Sequence, residues 1–388
     1  MKIVVIGTRG FPDVQGGVET HCKQLYPRLV TRGCEVIVFT RKPYVQGATG
    51  VYRGVRLIPL GCPRNKYLEA VLHSLAGVFQ ARRFAPDALH VHALGPSLIV
   101  PLARLLGMKV VITHHGPDYQ RKKWGLLAKC ALRLGEFFGC TFSHQVICIS
   151  EPIAAELKRR YARTPVVIPN GVEIPQRLTS QAALQTYGLE PGRYVLAVGR
   201  LVPEKGFHDL IEAFVQLQRQ GGREVRGWTL VIVGCADHED AYSQRLTHQA
   251  ATSPNVTLTG FLTGRPLQEL YSHAGLFVLP SYYEGLPHVL LEAMSYGLPC
   301  LVSDIPAHSG VGLPPERHFS AGNVQALSEA MQRLIAKPFS EEEQRRQIDR
   351  IAKHYSWEDV ADRTLHVCQS VLLNGRRRAL AKPWSRNP

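Results

Sequence analysis

Two cations and two carboxylates stand where they could hold a ligand that carries both phosphate and hydroxyl groups. Arg200 and Lys205 fall in Gly199-Arg200-Leu201-Val202-Pro203-Glu204-Lys205-Gly206, a loop that follows an apolar run ending at Val198 and enters a helix at about Gly206. Unpaired N–H groups at a helix start, joined by two cationic side chains, can grip a diphosphate. Solvated loop charges are the bland alternative, and the position at a strand's carboxyl end favours binding. Glu284 and Glu292 fall in Ser281-Tyr282-Tyr283-Glu284-Gly285-Leu286-Pro287-His288-Val289-Leu290-Leu291-Glu292. Pro287 suits a first helical turn, which leaves Glu284 in the preceding loop and Glu292 inside the helix. Carboxylates about two turns apart can accept protons from hydroxyls at two ends of one ligand, a sugar and a ribose. A helix cap with a surface carboxylate is the structural alternative. Glu292, among Leu290, Leu291, Ala293 and Met294, would be costly to bury without a partner.

The first half has its own candidates. In Arg9-Gly10-Phe11-Pro12-Asp13-Val14-Gln15-Gly16-Gly17-Val18-Glu19, two glycines before a helix permit close backbone approach, although a turn alone could require them. The segment is not a Gly-x-Gly-x-x-Gly fingerprint, and the second strand ends in Thr40-Arg41 rather than in an acid, which argues against a dinucleotide-dependent dehydrogenase. Thr113-His114-His115-Gly116-Pro117-Asp118-Tyr119 follows another strand. A zinc reading would combine His90, His92, His114 and His115, but none has a partner at zinc-finger spacing. There is no Cys-x-x-Cys pair and no Asp-x-Asp triplet, so no metal site is expected.

These residues need elements to hold them. Apolar runs at 2–6, 35–40, 88–92, 109–113 and 145–149 alternate with helical patterns, and Ser150 with Pro152 reads as a helix start. Asn170-Gly171 is a turn dipeptide near a domain joint. The alternation restarts with strands at 194–198, 228–233, 255–259, 276–279 and 299–302, and helices at about 206–220, 266–272 and 287–296. The predicted fold is α/β, two facing Rossmann-like doubly wound parallel-sheet domains with a cleft between them. Residues 1–172 form the first domain, 173–356 the second, 357–375 a helix that packs back on the first, and 376–388 a basic tail. A helix over 357–373 would end at Asn374-Gly375.

The 388 residues, 45% hydrophobic and 20% charged, suit two ordinary folded domains. Nine cysteines without pairing pattern fit a reducing, cytoplasmic setting. No secretory leader and no membrane span is read, since the apolar region 94–113 is broken by Pro96, Pro101, Arg104 and Lys109. Lys and Arg exceed Asp and Glu by 46 to 31, a net +15 that favours anionic partners. No helix-turn-helix or aromatic-basic motif points to nucleic acid. The basic clusters Arg121-Lys122-Lys123, Lys158-Arg159-Arg160 and Arg376-Arg377-Arg378 could meet an anionic membrane, or could be solvated helix faces.

Glu284 through Glu292, with the loop Val198-Gly199-Arg200-Leu201 and Lys205-Gly206 and the later Gly297-Leu298-Pro299 and Ser303, resembles glycosyltransferase family 4, which has the GT-B fold. The resemblance covers most of residues 194–304. It implies a retaining transfer from a nucleotide-sugar, in which Arg200 and Lys205 neutralise the diphosphate, Glu284, with Gly285 and Leu286, holds the sugar, and Glu292 holds the ribose. It makes Gly16 and Gly17 the loop that approaches the donor phosphate, aligns His115 with an active-site histidine near the donor sugar, and leaves Asp118 and Tyr119 as weaker acceptor-binding candidates. No cofactor and no divalent metal is implied. His114-His115-Gly116-Pro117-Asp118-Tyr119, with Gly7-Thr8-Arg9-Gly10, resembles a bacterial subgroup tied to cell-surface polysaccharides and described as rhamnosyltransferases. That implies rhamnosyl or mannosyl transfer to a glycan or polyprenyl-diphosphate-linked glycan at the inner membrane face, with no nucleic-acid partner. Where many relatives place a glutamate after Ser303-Asp304-Ile305-Pro306, this chain has Ala307-His308-Ser309-Gly310. A GT-B epimerase, a non-catalytic nucleotide-sugar-binding protein and a nucleic-acid-binding protein are the competing readings.

Overall fold

The computed structural model describes residues 1–45, 50–63, 68–120, 125–236 and 239–380. Two compact units result: Met1–Asn170 together with the chain from Trp357, and Gly171–Ser356. In the first unit β1 (Lys2–Ile6), α1 (Gly17–Thr31) and β2 (Glu35–Arg41) open the chain, and β3 (Gly50–Tyr52) and β4 (Val55–Leu60) form a hairpin. Its two-residue turn is Arg53-Gly54, both at positive φ, the backbone that lets a tight hairpin follow strand twist. Then come α2 (Glu69–Arg83), β5 (Ala88–His92), α3 (Val100–Leu105), β6 (Val110–His114), α4 (Leu126–Phe142), β7 (Gln145–Cys148), α5 (Glu151–Tyr161) and β8 (Val166–Val167).

Among the described residues the strands form one sheet in the order β3-β4-β2-β1-β5-β6-β7-β8, parallel apart from the hairpin. Ile3, Val4, Val5 and Ile6 are wholly buried, because a parallel sheet is covered on both faces and its strands run apolar without alternation. The crossovers through α2, α3, α4 and α5 step along the sheet in one direction and that through α1 steps in the other. Right-handed crossovers therefore put α2 to α5 on one face and α1 on the opposite face.

The second unit holds α6 (Ala182–Tyr187), β9 (Tyr194–Val198), α7 (Phe207–Gln220), β10 (Thr229–Val233), α8 (Ala241–Thr252), β11 (Val256–Gly260), α9 (Gly264–His273), β12 (Leu276–Leu279), α10 (His288–Ser295), β13 (Cys300–Ser303), α11 (Pro306–Ser309), β14 (His318–Phe319), α12 (Val324–Ala336) and α13 (Glu341–His354). Its described strands form a parallel sheet ordered β11-β10-β9-β12-β13-β14. The chain then returns to the first unit as α14 (Trp357–Leu380). Arg28 of α1 and Arg32 just after it pair with Glu358 at 2.9 and 2.8 Å, and Arg32 pairs with Asp362 at 2.6 Å.

Several local expectations shift. The last helix passes Asn374-Gly375 and runs to Leu380; a glycine inside a helix costs about 1 kcal/mol, and the arginines after it are good helix formers. Pro287 is the residue before α10, not inside its first turn. Ser150 does precede α5, but its hydroxyl makes no capping bond and is buried without a partner among the described residues. Arg159 pairs with Glu156 at 2.8 Å, and Arg160 pairs with Glu156 and with Glu136, so this basic run is largely neutralised. Arg121-Lys122-Lys123 and residues 381–388 of the basic tail lie outside the described residues. All nine cysteines are free thiols, six of them buried.

Close packing of α4 against the segment after β5 rests on glycine. A Cβ on Gly135 would sit 2.1 Å from the Leu94 carbonyl oxygen, whereas one on Gly61 would meet nothing within 4 Å. Gly135→Ala is expected to destabilise the protein by about 1–3 kcal/mol in urea unfolding, and Gly61→Ala to stay within about 0.5 kcal/mol of the wild type. Equal midpoints for the two variants would refute this packing.

Candidate functional site

In the second unit the candidate residues Arg200, Lys205 and Glu284 lie beyond the carboxyl ends of β9 and β12, which are neighbours in the sheet. After β9 a short 3-10 turn, Pro203–Lys205, ends at Gly206 with φ +66. Gly206 is required twice over: its backbone is left-handed, and a Cβ there would sit 2.2 Å from the Pro280 carbonyl oxygen. Tyr282 N–H donates to the Glu204 carbonyl at 2.9 Å, which ties the turn to the loop after β12. Tyr282 also donates its hydroxyl to Asp209 on α7.

That clamp brings Lys205 Nζ to 2.5 Å from Glu284 Oε1, with side-chain exposures of 13% and 12%. Ser281 Oγ donates to the same oxygen at 2.7 Å. Burial would raise the Glu284 carboxyl, but the Lys205 charge, its hydrogen bond, Ser281 and His308 outweigh burial and hold it below the ordinary carboxylate range. Glu284 is therefore an anion at neutral pH. Arg200, half-buried two residues beyond β9, belongs to the same loop. Gly285 is half-buried and Leu286 buried between Glu284 and α10.

Glu292 lies inside α10 and accepts a hydrogen bond from Tyr271 at 3.1 Å. Burial pushes its carboxyl up, and the tyrosine only partly offsets that. The two carboxylates thus differ in kind, one ionised beside an ammonium and the other desolvated beside a phenol.

His308 is a member of this site that the sequence did not single out beyond the departure at 307–310. It is wholly buried, and Nδ1 donates to the Ser303 carbonyl at 2.8 Å. The other nitrogen, Nε2, is then an acceptor, and it is buried without a hydrogen-bond partner among the described residues. Burial drives the ring's pKa down to about 4, although Glu284 pulls it up, so the ring stays neutral.

In the first unit Gly16 has φ +150, and a Cβ there would meet Glu19 Oε2 at 2.1 Å. Glu19, buried on the first turn of α1, accepts from Arg9 N–H at 2.9 Å and from Arg9 Nε at 3.3 Å. Burial acts to raise its pKa, but Arg9 more than compensates and lowers it. The Gly16-Gly17 loop is thus shaped by an internal ion pair.

His115 follows β6, with Nε2 2.9 Å from His92 Nδ1. His92 Nε2 meets the Tyr26 hydroxyl, Tyr26 meets His90 Nδ1 at 3.1 Å, and His90 Nε2 meets Thr113 Oγ1 at 2.7 Å. Three imidazoles, a phenol and an alcohol form one chain, with every ring nitrogen of His90 and His92 engaged within it. His114 holds the other side of the loop. Gly116 N–H donates to its Nδ1 at 3.1 Å, so its Nε2 carries the proton donated to Glu136 at 2.9 Å. Tyr119 is buried, its hydroxyl 3.3 Å from Glu136 and 2.7 Å from Arg160. That tyrosine braces the loop from within instead of presenting its hydroxyl outward, whereas Asp118 is half-buried at the start of the turn Asp118–Gln120.

Residues 184–355 match the family model described as glycosyl transferases group 1, and residues 15–175 match glycosyltransferase family 4. The chain is 27% identical to an uncharacterized glycosyltransferase of Methanocaldococcus jannaschii, over 95% of this chain and 97% of that one. It is 27% identical to phosphatidyl-myo-inositol mannosyltransferase of Mycobacterium leprae, over 97% and 99%. Sucrose-phosphate synthase from Thermosynechococcus elongatus superposes with a TM-score of 0.80 at 22% identity, covering 96% of this chain and 99% of its own. An Anabaena protein solved with UDP-glucose gives 0.76 at 18% identity, covering 95% and 100%. The fold is that of a GT-B glycosyltransferase. The chain belongs to glycosyltransferase family 4, its two halves matched by two successive family models.

The buried histidines make stability depend on pH. Burial lowers His21, His73, His144 and His308 to about 4 and His90 to about 3. With folded values below the unfolded value of about 6.5, the unfolded chain binds more protons, so stability is full above about 6.5 and falls as pH drops towards 4. Thermal melts are expected to shift downward across that window. A melting temperature that stays constant down to pH of about 4.5 would contradict the neutral, buried rings.

Proposed function

We propose that the chain moves a sugar from a nucleotide-sugar donor to a hydroxyl of a glycan or lipid-linked glycan, with retention of configuration and without a metal ion. The observation that carries this reading is the Lys205–Glu284 pair beside Arg200, at the carboxyl ends of adjacent parallel strands. In the proposed reaction the bond between the sugar's anomeric carbon and the diphosphate oxygen breaks, and negative charge builds on the leaving phosphate. Arg200 and Lys205 stabilise that charge in place of a cation, each 1.36 kcal/mol of preferential stabilisation being worth about tenfold in rate. The acceptor oxygen bonds the anomeric carbon from the face the phosphate leaves, and its proton passes to that phosphate.

Glu284 accepts from donor-sugar hydroxyls and Glu292 from the ribose, whose hydroxyl protons would relieve its burial. Gly285 and Leu286 line the sugar, and Gly16, Gly17 and His115 keep the roles that the family resemblance implies. Mannose or rhamnose is the proposed sugar, supported by the name of the mycobacterial relative and by the His114–Tyr119 string. The same relative acts, by its name, on a phosphatidylinositol lipid, which supports an acceptor held at the cytoplasmic face of a membrane. No described helix is long and apolar enough to cross one.

The test is turnover with UDP-, GDP-, ADP- and dTDP-sugars, with and without candidate acceptors, and with chelator present. Product should require the acceptor and keep the donor's anomeric configuration. Glu284→Ala and Lys205→Met should each lower kcat/KM by about 10²–10³-fold, with circular dichroism confirming the fold. Epimerised donor formed without acceptor, or full activity in Glu284→Ala, would sink the reading.

A further inference from the structure

The outward faces of α2 and α4 are unlike an ordinary solvated surface. Leu68, the residue before α2, and Leu72, Leu75 and Phe79 on it recur at helical spacing and all are exposed, Phe79 to 54%. On α4, Leu126 and Leu127 are 79% and 87% exposed, and Leu134 and Phe137 extend the same side. Isolated exposed apolar residues are common, but stripes of this kind along two helices mark an interaction surface.

Charge is sorted on the same helices. Each has a single acidic residue, and both are turned inward. Glu69 is buried against Arg41 at 2.8 Å and Tyr44 at 3.0 Å, and Glu136 is buried among His114, Tyr161 and Arg160. What remains outside is apolar, neutral or cationic, with exposed Arg82 and Arg83 closing α2, and Arg133 and the half-buried Lys129 set among the leucines of α4. Both helices lie on one face of the sheet, and they flank the same turn. A Cβ on Gly95, just before the 3-10 turn Pro96–Ile99, would lie 3.8 Å from Leu132 of α4 and 3.9 Å from Ala70 of α2.

We propose that α2 and α4 form the surface by which the first unit docks on an anionic phospholipid bilayer. Leucine and phenylalanine side chains enter the boundary between headgroups and acyl chains, and the arginines and lysine meet lipid phosphates. Cations with no exposed carboxylate on either helix complement the charge of an anionic lipid surface. The Lys158-Arg159-Arg160 run, whose two arginines pair with Glu156 and Glu136, is not part of it. The inference deepens the proposed membrane setting of the acceptor, but it rests on the first unit alone and needs neither donor nor catalysis.

The full chain is sedimented with vesicles of phosphatidylcholine alone and with vesicles containing about 30 mol % phosphatidylglycerol, without nucleotide-sugar or acceptor. Binding to the anionic vesicles and much weaker binding to the neutral ones is expected. Leu72→Asp with Phe79→Asp, and Leu126→Asp with Leu127→Asp, should each weaken binding by about tenfold or more with unchanged melting temperature. Val51→Asp, at an exposed valine on β3, should bind as the wild type does. The proposal is overturned if wild type ignores anionic vesicles, or if both double variants bind them normally. It is equally overturned if the variants only convert a dimer to a monomer in analytical ultracentrifugation with vesicle affinity intact. Transfer to a soluble acceptor, measured on the same variants, should stay at the wild-type rate, which separates a failed docking surface from a failed transferase.

Discussion

The second unit is organised by the need to keep one ammonium and one carboxylate together out of water. Lys205 and Glu284, 79 positions apart in the chain, meet at 2.5 Å with almost nine-tenths of each side chain covered. Breaking such a pair by removing one partner leaves a desolvated charge and costs about 3–5 kcal/mol, so the loops that carry it must be fixed. Gly206 fixes one, because only glycine allows the left-handed turn that presses against Pro280. The adjacency of β9 and β12 fixes the other. An anionic ligand arriving here finds Lys205 already oriented, with Glu284 as the group whose place beside the ammonium it would share.

The first unit solves a different problem, the burial of several imidazoles. His90, His92 and Tyr26 are covered completely, and each ring nitrogen in that group has a partner, so the cost of hiding polar groups is offset by hydrogen bonds made among themselves. His115 ends this chain. Whichever way the protons run through it, the tautomer of His115 is coupled to Tyr26 and to Thr113, two residues upstream of it. The brace on the other side, His114 with Glu136, holds the same loop without taking part in that chain.

Much of this was legible before any coordinates. Largely apolar runs of four or five residues bounded by turns gave β1, β5, β9 and β12, because parallel strands buried on both faces need no alternation. The loop holding Lys205 and the helix carrying Glu292 were legible from glycine, proline and charge. Less readable were groups whose role depends on a partner far away in sequence. Tyr119 stood in the sequence as a weaker acceptor-binding candidate, and its bonds to Glu136 and Arg160, which draw its hydroxyl inward, could not be read there. His308 stood only as a departure from a motif, and its orphaned Nε2 is visible once Ser303 is seen to take Nδ1. The helix end past Asn374-Gly375 was missed because a turn dipeptide is a local signal that the residues after it can override.

The proposed transfer requires that the loop of Arg200 and Lys205 bind a diphosphate through its cationic side chains. Isothermal titration of UDP, GDP, ADP and dTDP into wild type and Lys205→Met, in excess chelator, tests it most directly. At least one nucleotide should bind the wild type without metal and bind the variant about tenfold or more weakly, an ionised hydrogen bond being worth about 1.5–3 kcal/mol. Binding that requires a divalent ion, or equal affinity in the two proteins, would contradict it.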